Sequence, residues 1–147
     1  MKSVEKLLEK KDGQVWSIGP DDTVFDAIKL MHEKSVGALA VVVSQDKLIG
    51  IISERDYAGK VILQGKSSKN TAVREIMSSK VHYALPDQEV SECLVRMNKH
   101  RIRHLPVIVD EKLVGMISMG DVVKEIIEEQ SFTIKQLEHH MIWEESY

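Results

Sequence analysis

Residues Gly50–Asp56 read GIISERD and residues Gly115–Asp121 read GMISMGD, so one short pattern occurs twice in the chain. In both copies a glycine and an apolar run lead to a serine, and an aspartate follows three positions later. A short apolar run predicts a buried strand, and the polar residues after it predict the start of a helix. Two such strand-to-helix junctions indicate that the chain contains a duplicated unit.

The residues around the two copies repeat as well. Pro20 aligns with Pro86, which lies 66 positions later, and Lys47 aligns with Lys112, which lies 65 positions later. The change of one residue falls in the polar turns SQDK and DEK, where a difference in loop length is tolerated. The repeat therefore covers about residues 14–63 and 80–128.

Each copy predicts the same order of elements: strand, helix, strand, strand, helix. Apolar residues at i, i+3, i+4 and i+7 follow Pro20 and Pro86 and predict amphipathic helices, and β-branched runs around each polar turn predict a hairpin. One such unit buries too little apolar surface to be stable alone. We therefore expect an α/β (α+β) fold in which two β-α-β-β-α repeats pack sheet to sheet with pseudo-twofold symmetry.

The remaining segments extend this arrangement at both ends. We expect residues 1–72 to contain an N-terminal helix, the first repeat and a polar linker. Residues 73–130 are expected to form the second repeat, and residues 131–147 are expected to form a C-terminal helical extension. Thr71 is expected to cap the short helix of AVREIM. The terminal helices carry apolar stripes that the paired repeats do not obviously cover, which predicts a homodimer.

Composition argues against several classes of partner. The 147 residues are 43% apolar and 29% charged with a formal net charge of -3, so there is no basic footprint for nucleic acid. No apolar run approaches the roughly 20 residues that span a bilayer, and the N-terminal MKSVEKLLEKK lacks the apolar region of a secretory signal. We expect no nucleic-acid or membrane partner and a cytoplasmic location.

Catalysis and metal binding are not expected either. The chain contains no phosphate-loop motif, no G-x-G-x-x-G, no H-E-x-x-H and no nucleophile elbow. Cys93 is the only cysteine, which excludes an internal disulfide and a cysteine-rich zinc site. His100 and His104 are four positions apart, but a strand is expected to begin between them, which breaks the helical spacing of a zinc site.

The repeated serine and aspartate admit two interpretations. Ser53 and Ser118 fall at the first turn of a predicted helix, where backbone N–H groups favour phosphate oxygens. Asp56 and Asp121 follow one turn later, where an ionised carboxylate can accept hydrogen bonds from ribose hydroxyls. The other interpretation is a capping box, in which the aspartate binds back to the serine. The sequence leaves both open.

Cationic residues add to the candidate site. Arg101, Arg103 and His104 place three potential cations within four residues, a set that can hold a phosphate or diphosphate. The alternative is that the arginines are solvated or paired with acidic residues at a dimer interface. Near the corresponding positions of the first repeat, Gly37 and Ala38 leave room for a ligand or for close packing.

Four features form a recognisable set: G-h-h-[ST]-x-x-D at the end of both copies, the predicted helices PDDTVFDAIKLM and PDQEVSECLVRM, and the predicted hairpin RIRHLPVIV. This set resembles a tandem pair of cystathionine-β-synthase (CBS) domains over about residues 10–130. The stretches VGALAVV and GIISERDYAGKVILQGKSSK and the tail FTIKQLEHH are similar to stand-alone CBS-pair proteins. This resemblance implies that AMP, ADP, ATP, NAD or S-adenosylmethionine binds between the repeats and that the chain forms disc-shaped dimers.

The resemblance also implies roles for individual residues. The serines and aspartates of the two motifs would contact the ligand, and Arg103 and His104 would reach its phosphates. Apart from the resemblance, the apolar side chains of Ile18, Ile52 and Ile117 could sandwich an adenine. The ligand-binding residues predicted in this way are Ile18, Gly37, Ala38, Ile52, Ser53, Arg55, Asp56, Lys69, Arg101, Arg103, His104, Pro106, Ile117, Ser118 and Asp121.

The function predicted from the sequence is a non-catalytic regulatory module that senses energy or redox state through an adenosyl ligand and signals to an unidentified protein. The alternative is a constitutive dimeric interaction protein with vestigial ligand clefts. Arg55 accompanies only the first aspartate, which predicts that the two clefts differ in affinity.

Overall fold

A computed structural model describes residues 2–11 and 15–145, with side chains described as far as residue 140. The first half of the chain holds α1 (Val4–Lys10), β1 (Ser17–Ile18), α2 (Val24–Lys34), β2 (Ala38–Val43), β3 (Lys47–Ser53) and α3 (Glu54–Tyr57), which continues as a π-helical turn over Ala58–Ile62. The second half holds α4 (Val73–Ile76), α5 (Val90–His100), β4 (His104–Val109), β5 (Lys112–Ser118) and α6 (Met119–Glu145).

The strands form one sheet with the order β1-β2-β3-β5-β4. Each repeat contributes an antiparallel hairpin, β2–β3 or β4–β5, and the two hairpins join through the single pair Lys47 and Lys112. The two expected sheets are therefore joined into one by this single strand-to-strand pair.

The register of the hairpins confirms the duplication. Ala38 pairs with Ser53 in the first hairpin, and His104 pairs with Ser118 in the second. Each hairpin has an irregularity at the same point, after Val41 or after Val107. The expected first strand of the second repeat is reduced to an isolated parallel bridge between Ala84 and Val107, the counterpart of the pairing between Ile18 and Val41.

Each repeat has its own apolar core. The first core contains Val24, Ala27, Met31, Leu39, Val41, Ile52, Val61, Val73 and Ile76. The second core contains Val4, Leu7, Ala84, Val90, Cys93, Met97, Leu105, Val107, Ile117 and Val122. Because Val4 and Leu7 belong to α1, the predicted first domain, residues 1–72, contributes its first helix to the core of the second repeat.

The helices α1 and α4 occupy equivalent places in the two repeats. The backbone N–H of Val73 donates to the carbonyl oxygen of Asp22 at 2.8 Å, and the backbone N–H of Val4 donates to that of Gln88 at 2.8 Å. Asp22 and Gln88 are 66 positions apart. The N-terminal helix is therefore part of the duplicated unit. The sequence interpretation, which placed this helix outside the repeats, is wrong on this point.

Two local predictions differ from the structure. Thr71 does not cap α4, since Ala72 occupies the N-cap position and the Thr71 hydroxyl donates to the carbonyl oxygen of Ser67 at 2.7 Å. The C-terminal segment predicted to begin at residue 131 is the distal part of α6, which continues unbroken to Glu145. Within the described part of the chain, no helix combines the length and the apolar character needed to cross a membrane.

Candidate functional site: a cationic cleft between the repeats

A cleft of about 650 Å³ opens where the end of β3 faces the approach to β4. This volume lies in the range of small-molecule binding sites. Both repeats and the segment between them contribute to its wall, so its shape depends on how the repeats sit against each other. The residues that line it are Gly37, Ala38, Ile51, Ser53, Glu54, Arg55, Asp56, Ser78, Lys80, His82, Arg101, Ile102, Arg103 and His104.

Ser53 and Asp56 form a capping box at the edge of this cleft. The backbone N–H of Ser53 donates to Asp56 Oδ2 at 2.9 Å, and the backbone N–H of Asp56 donates to Ser53 Oγ at 3.2 Å. The second carboxylate oxygen, Oδ1, lies 3.2 Å from Lys60 Nζ. The capping interpretation therefore holds for the first motif, and the same carboxylate also lines the cleft.

The second motif has the same cap but different surroundings. The backbone N–H of Ser118 donates to Asp121 Oδ2 at 2.9 Å, and Lys11 Nζ donates to the same oxygen at 2.8 Å. Burial raises the pKa of the Asp121 carboxyl, but the hydrogen bonds from Lys11 and Ser118 outweigh this effect and hold the pKa below its ordinary value. Asp121 thus pairs with Lys11 through Oδ2, whereas Asp56 pairs with Lys60 through Oδ1.

Four cationic side chains face the first cleft without a counter-ion. Arg55, Lys80, Arg101 and Arg103 line it, and none has an ion-pair partner among residues 2–11 and 15–140. Arg74, which lies outside the cleft, is paired: its Nη2 lies 2.7 Å from Asp21 Oδ1. Glu54 and Asp56 are the acidic residues of the lining, so with neutral histidines the cationic side chains outnumber the acidic ones.

Two histidines also border the cleft. The ring of His82 stacks on that of His100, with the ring centroids 3.9 Å apart and the planes inclined by 18°. The imidazole of His104 lies beside Gly37, where a Cβ atom would come within 3.4 Å of its Cε1 atom. Burial, and then neighbouring cations, lower the pKa of both His82 and His104 below the ordinary value of 6.5.

The structure brings most of the predicted ligand-binding residues of the first motif together but separates others from the cleft. Ile52 and Ile117 have 0% of their surface exposed, because each points into one of the two cores, so they are not available to sandwich an adenine. Pro106 is buried in β4. The ammonium of Lys69 lies 4.9 Å from the centre of the Phe25 ring instead.

The remaining members of the predicted set also lie away from this cleft. Ile18 packs against the first core. Ser118 and Asp121 form the second cap and do not line the first cleft. Residues brought together as predicted are Gly37, Ala38, Ser53, Arg55, Asp56, Arg101, Arg103 and His104.

The cleft includes residues that the sequence reasoning missed. Ile51 and Ile102 are its larger apolar residues, and Ser78, Lys80 and His82 come from the segment between α4 and α5. Strand alternation could have identified Ile51, because side chains two positions apart share a face and Ser53 was already a candidate. Ser78, Lys80 and His82 follow no sequence pattern that predicts their place in the cleft, because it depends on pairing between Ser78 and Ile51.

The CBS domain family matches this chain twice, over residues 11–62 and 73–128. A mitochondrial CBS domain-containing protein from Arabidopsis thaliana is 46% identical over 121 residues, which are 80% of this chain and 59% of that protein. The chain thus spans about three fifths of the length of that relative. The chain belongs to the CBS-domain family, in which it forms a tandem pair with a five-stranded sheet.

Solved structures support the same assignment. A signal-transduction protein with CBS domains from Burkholderia ambifaria superimposes with a TM-score of 0.81 and 48% identity, covering 88% of this chain and 96% of that one. A second CBS domain pair, solved in complex with 5′-methylthioadenosine and S-adenosyl-L-methionine, superimposes with a TM-score of 0.78 and 25% identity, covering 88% and 98%. That relative binds adenosyl compounds.

Proposed function

We propose that this chain is a non-catalytic regulatory module that binds an adenosyl ligand in the cleft between Ser53–Asp56 and Arg101–His104. The observation that carries the proposal is the convergence of four cations, which have no ion-pair partner among residues 2–11 and 15–140, on a cleft of about 650 Å³ that also contains Ile51 and Ile102 and only two acidic residues. Uncompensated charges beside one another are unfavourable, so a site that holds them together favours an anionic occupant.

The wall offers a partner for each part of such a ligand. Ile51 and Ile102 provide apolar surface for an adenine ring. Asp56 retains acceptor capacity for a ribose hydroxyl beyond the bonds of its cap. Arg101 and Arg103 can donate charge-assisted hydrogen bonds to phosphate oxygens.

Charge makes a phosphorylated ligand more favourable than a sulfonium ligand. AMP, ADP, ATP and NAD carry negative phosphates, whereas S-adenosylmethionine carries a positive sulfur that the cations of the cleft would repel. We therefore expect the phosphorylated adenosyl compounds to bind more tightly than S-adenosylmethionine. In this respect the chain would differ from its relative solved with that compound.

The regulatory part of the proposal follows from the position of the cleft. Its walls belong to both repeats, which share only one strand-to-strand bridge. A ligand that binds one relative arrangement more tightly shifts the population toward it by its differential affinity. A partner protein would read this change and so respond to energy or redox state; a homodimer and a cytoplasmic location are part of the same proposal.

A panel of ligands tests the proposal. A ligand at about 100 times its Kd raises the free energy of unfolding by roughly 2.7 kcal/mol, which thermal denaturation detects. We expect shifts with AMP, ATP or NAD and a smaller one with S-adenosylmethionine. No shift with any of these compounds or with 5′-methylthioadenosine would overturn the proposal and favour an interaction protein with vestigial clefts.

The duplication supplies a matched pair of variants for this test. Arg101 and Ser35 occupy equivalent helix ends, and both are left-handed, with φ of 54° and 55°. Glycine fits this conformation, so Arg101→Gly and Ser35→Gly should both preserve the melting temperature. Arg101→Gly alone should weaken binding, by about tenfold or more, since a charge-assisted hydrogen bond contributes about 1.5–3 kcal/mol. Equal affinities would remove Arg101 from the site.

A further inference from the structure

The stacked imidazoles of His82 and His100 connect the cleft wall to the end of a helix. His82 lies in the segment after α4 and lines the cleft. His100 is the last residue of α5 and immediately precedes Arg101, which also lines the cleft. With ring centroids 3.9 Å apart, a charge on either ring acts directly on the other.

The groups that act electrostatically on His82 are all basic. They are His100 and Arg96 from α5 and Lys80 from its own segment, and with partial burial, which has the largest effect, they lower the pKa of His82. His104, on the opposite wall, has mixed neighbours: Lys11 and Arg103 lower its pKa, whereas Asp121 and Glu54 raise it. Of the two, His82 has surroundings that a single bound anion would change most.

We propose that binding of a phosphorylated ligand in this cleft is coupled to the uptake of one proton from solvent by His82, whose ring lines the cleft and stacks on that of His100. This inference rests on the proposed function and adds a mode of regulation to it. The phosphate supplies negative charge beside a ring whose electrostatic neighbours are basic.

The sign of the pH dependence follows from this charge balance. Without ligand, burial and then the neighbouring basic groups hold the pKa of His82 below the ordinary histidine value of 6.5. With ligand, protonation occurs at a higher pH, so the complex holds more protons than the free protein in this range. Affinity should therefore rise as the pH falls from about 7.5 to about 5.5, by up to about tenfold for a change of one pKa unit.

Isothermal titration with AMP measures the coupling directly. Heats recorded at about pH 6.5 in two buffers of different ionisation enthalpy give the number of protons taken up. The comparison is between the natural protein and the double variant His82→Phe/His100→Phe, which keeps two stacking rings and removes both imidazoles. The AMP phosphate itself titrates near pH 6, but its contribution is common to both proteins and cancels in the difference.

We expect the natural protein to take up about half a proton more than the double variant if binding raises the pKa of His82 by about one unit. His32→Gln is the control, because His32 is exposed on α2 and does not line the cleft. That variant should match the natural protein. If NAD binds and AMP does not, NAD is the probe, and the same difference is expected.

The outcomes separate this inference from the proposed function. Equal proton uptake by the natural protein and the double variant overturns the coupling while ligand binding stands. Uptake of the same size with 5′-methylthioadenosine, which has no phosphate, also overturns it, because the proton would then follow closure of the cleft. Failure of all the adenosyl compounds to bind overturns the proposed function and the coupling together.

Discussion

At the scale of single residues, Asp56 shows that a helix cap and a ligand contact need not be alternatives. Its Oδ2 atom accepts a hydrogen bond from the backbone N–H of Ser53, and its Oδ1 atom lies 3.2 Å from Lys60 Nζ. The Asp56 side chain has 16% of its surface exposed. A carboxylate has about four lone-pair sites. The cap therefore leaves room for a ribose hydroxyl, and the serine that holds the cap also holds the carboxylate in place.

The two caps provide a first prediction, which compares Asp56→Asn with Asp121→Asn. In both variants the amide oxygen can still accept from the serine N–H, and an ion pair with lysine is lost. We expect each to lower the free energy of unfolding by about 0.5–1.5 kcal/mol in urea denaturation. Only Asp56→Asn should weaken ligand binding in calorimetric titration. Equal loss of binding in both variants would show that the effect is not local to the first cleft.

At the level of residues, the sequence is most informative where a motif is repeated. Ser53 and Asp56 recur as Ser118 and Asp121, and the first pair lines the cleft. The prediction includes Ile52 and not Ile51, although Ile52 has 0% of its surface exposed and Ile51 lines the cleft. Apolar character does not distinguish a core position from a ligand position, whereas alternation from Ser53 does.

At the scale of elements, the N-terminal helix is the main departure from the sequence interpretation. Lys2 and Lys10 bind the buried carboxylate of Glu125 on α6, at 3.0 and 2.8 Å, and fix α1 against the second repeat. The lysine hydrogen bonds, that of Lys10 foremost, hold the pKa of Glu125 below its ordinary value. The helix was not recognised as a counterpart of α4 because apolar residues three and four positions apart occur in any amphipathic helix.

A second prediction concerns the glycines on which these two helices pack. A Cβ atom at Gly115 would come within 2.6 Å of the flexible Leu8 side chain, while one at Gly50 would meet Met77 Sδ at 2.7 Å and the Ser78 carbonyl oxygen at 3.1 Å. The backbone of Ser78 exchanges two hydrogen bonds with Ile51 and cannot move freely. Gly50→Ala should therefore cost about 1–3 kcal/mol in urea denaturation, and Gly115→Ala should cost less.

The same pair of variants separates the two helices in function. Because Ser78 lines the cleft, a shift of its backbone in Gly50→Ala should also weaken binding of AMP or NAD. Gly115→Ala should leave binding unchanged, since its contacts are on α1. The reverse order of stabilities would mean that α1 is held more rigidly than the Ser78 segment.

At the scale of the whole molecule, the order of elements and the pairing of two repeats followed from the sequence, because hydrophobic periodicity and the 66-residue offset are local signals. The inequality of the two motifs is expected from Arg55 and from the RIRH segment. The structure adds the surroundings of the two aspartates: Asp121 pairs with Lys11 of the N-terminal segment, whereas Asp56 pairs with Lys60 and lies in a cleft with four cations that have no ion-pair partner among residues 2–11 and 15–140. Contacts between residues so distant in the chain leave no pattern that a single sequence displays.

The predicted homodimer now depends on α6, since the apolar residues Val4 and Leu7 of α1 are covered by the second repeat. Residues 131–140 of α6 are all exposed, and Ile134 and Leu137 have 54% and 58% of their surface accessible. An isolated helical stretch of this length is marginal in water, so packing against a second copy would stabilise it.

We therefore expect the natural protein to have the mass of a dimer in light scattering, and the double variant Ile134→Lys/Leu137→Lys to have the mass of a monomer. The variant should also lose helical circular dichroism, because the distal part of α6 would fray without its partner, while AMP or NAD still binds in the distant cleft. Gln136→Lys adds one lysine at a position next to the apolar stripe and should remain dimeric. A natural protein that is monomeric at micromolar concentration would show that the exposed stripe does not join two copies of this chain.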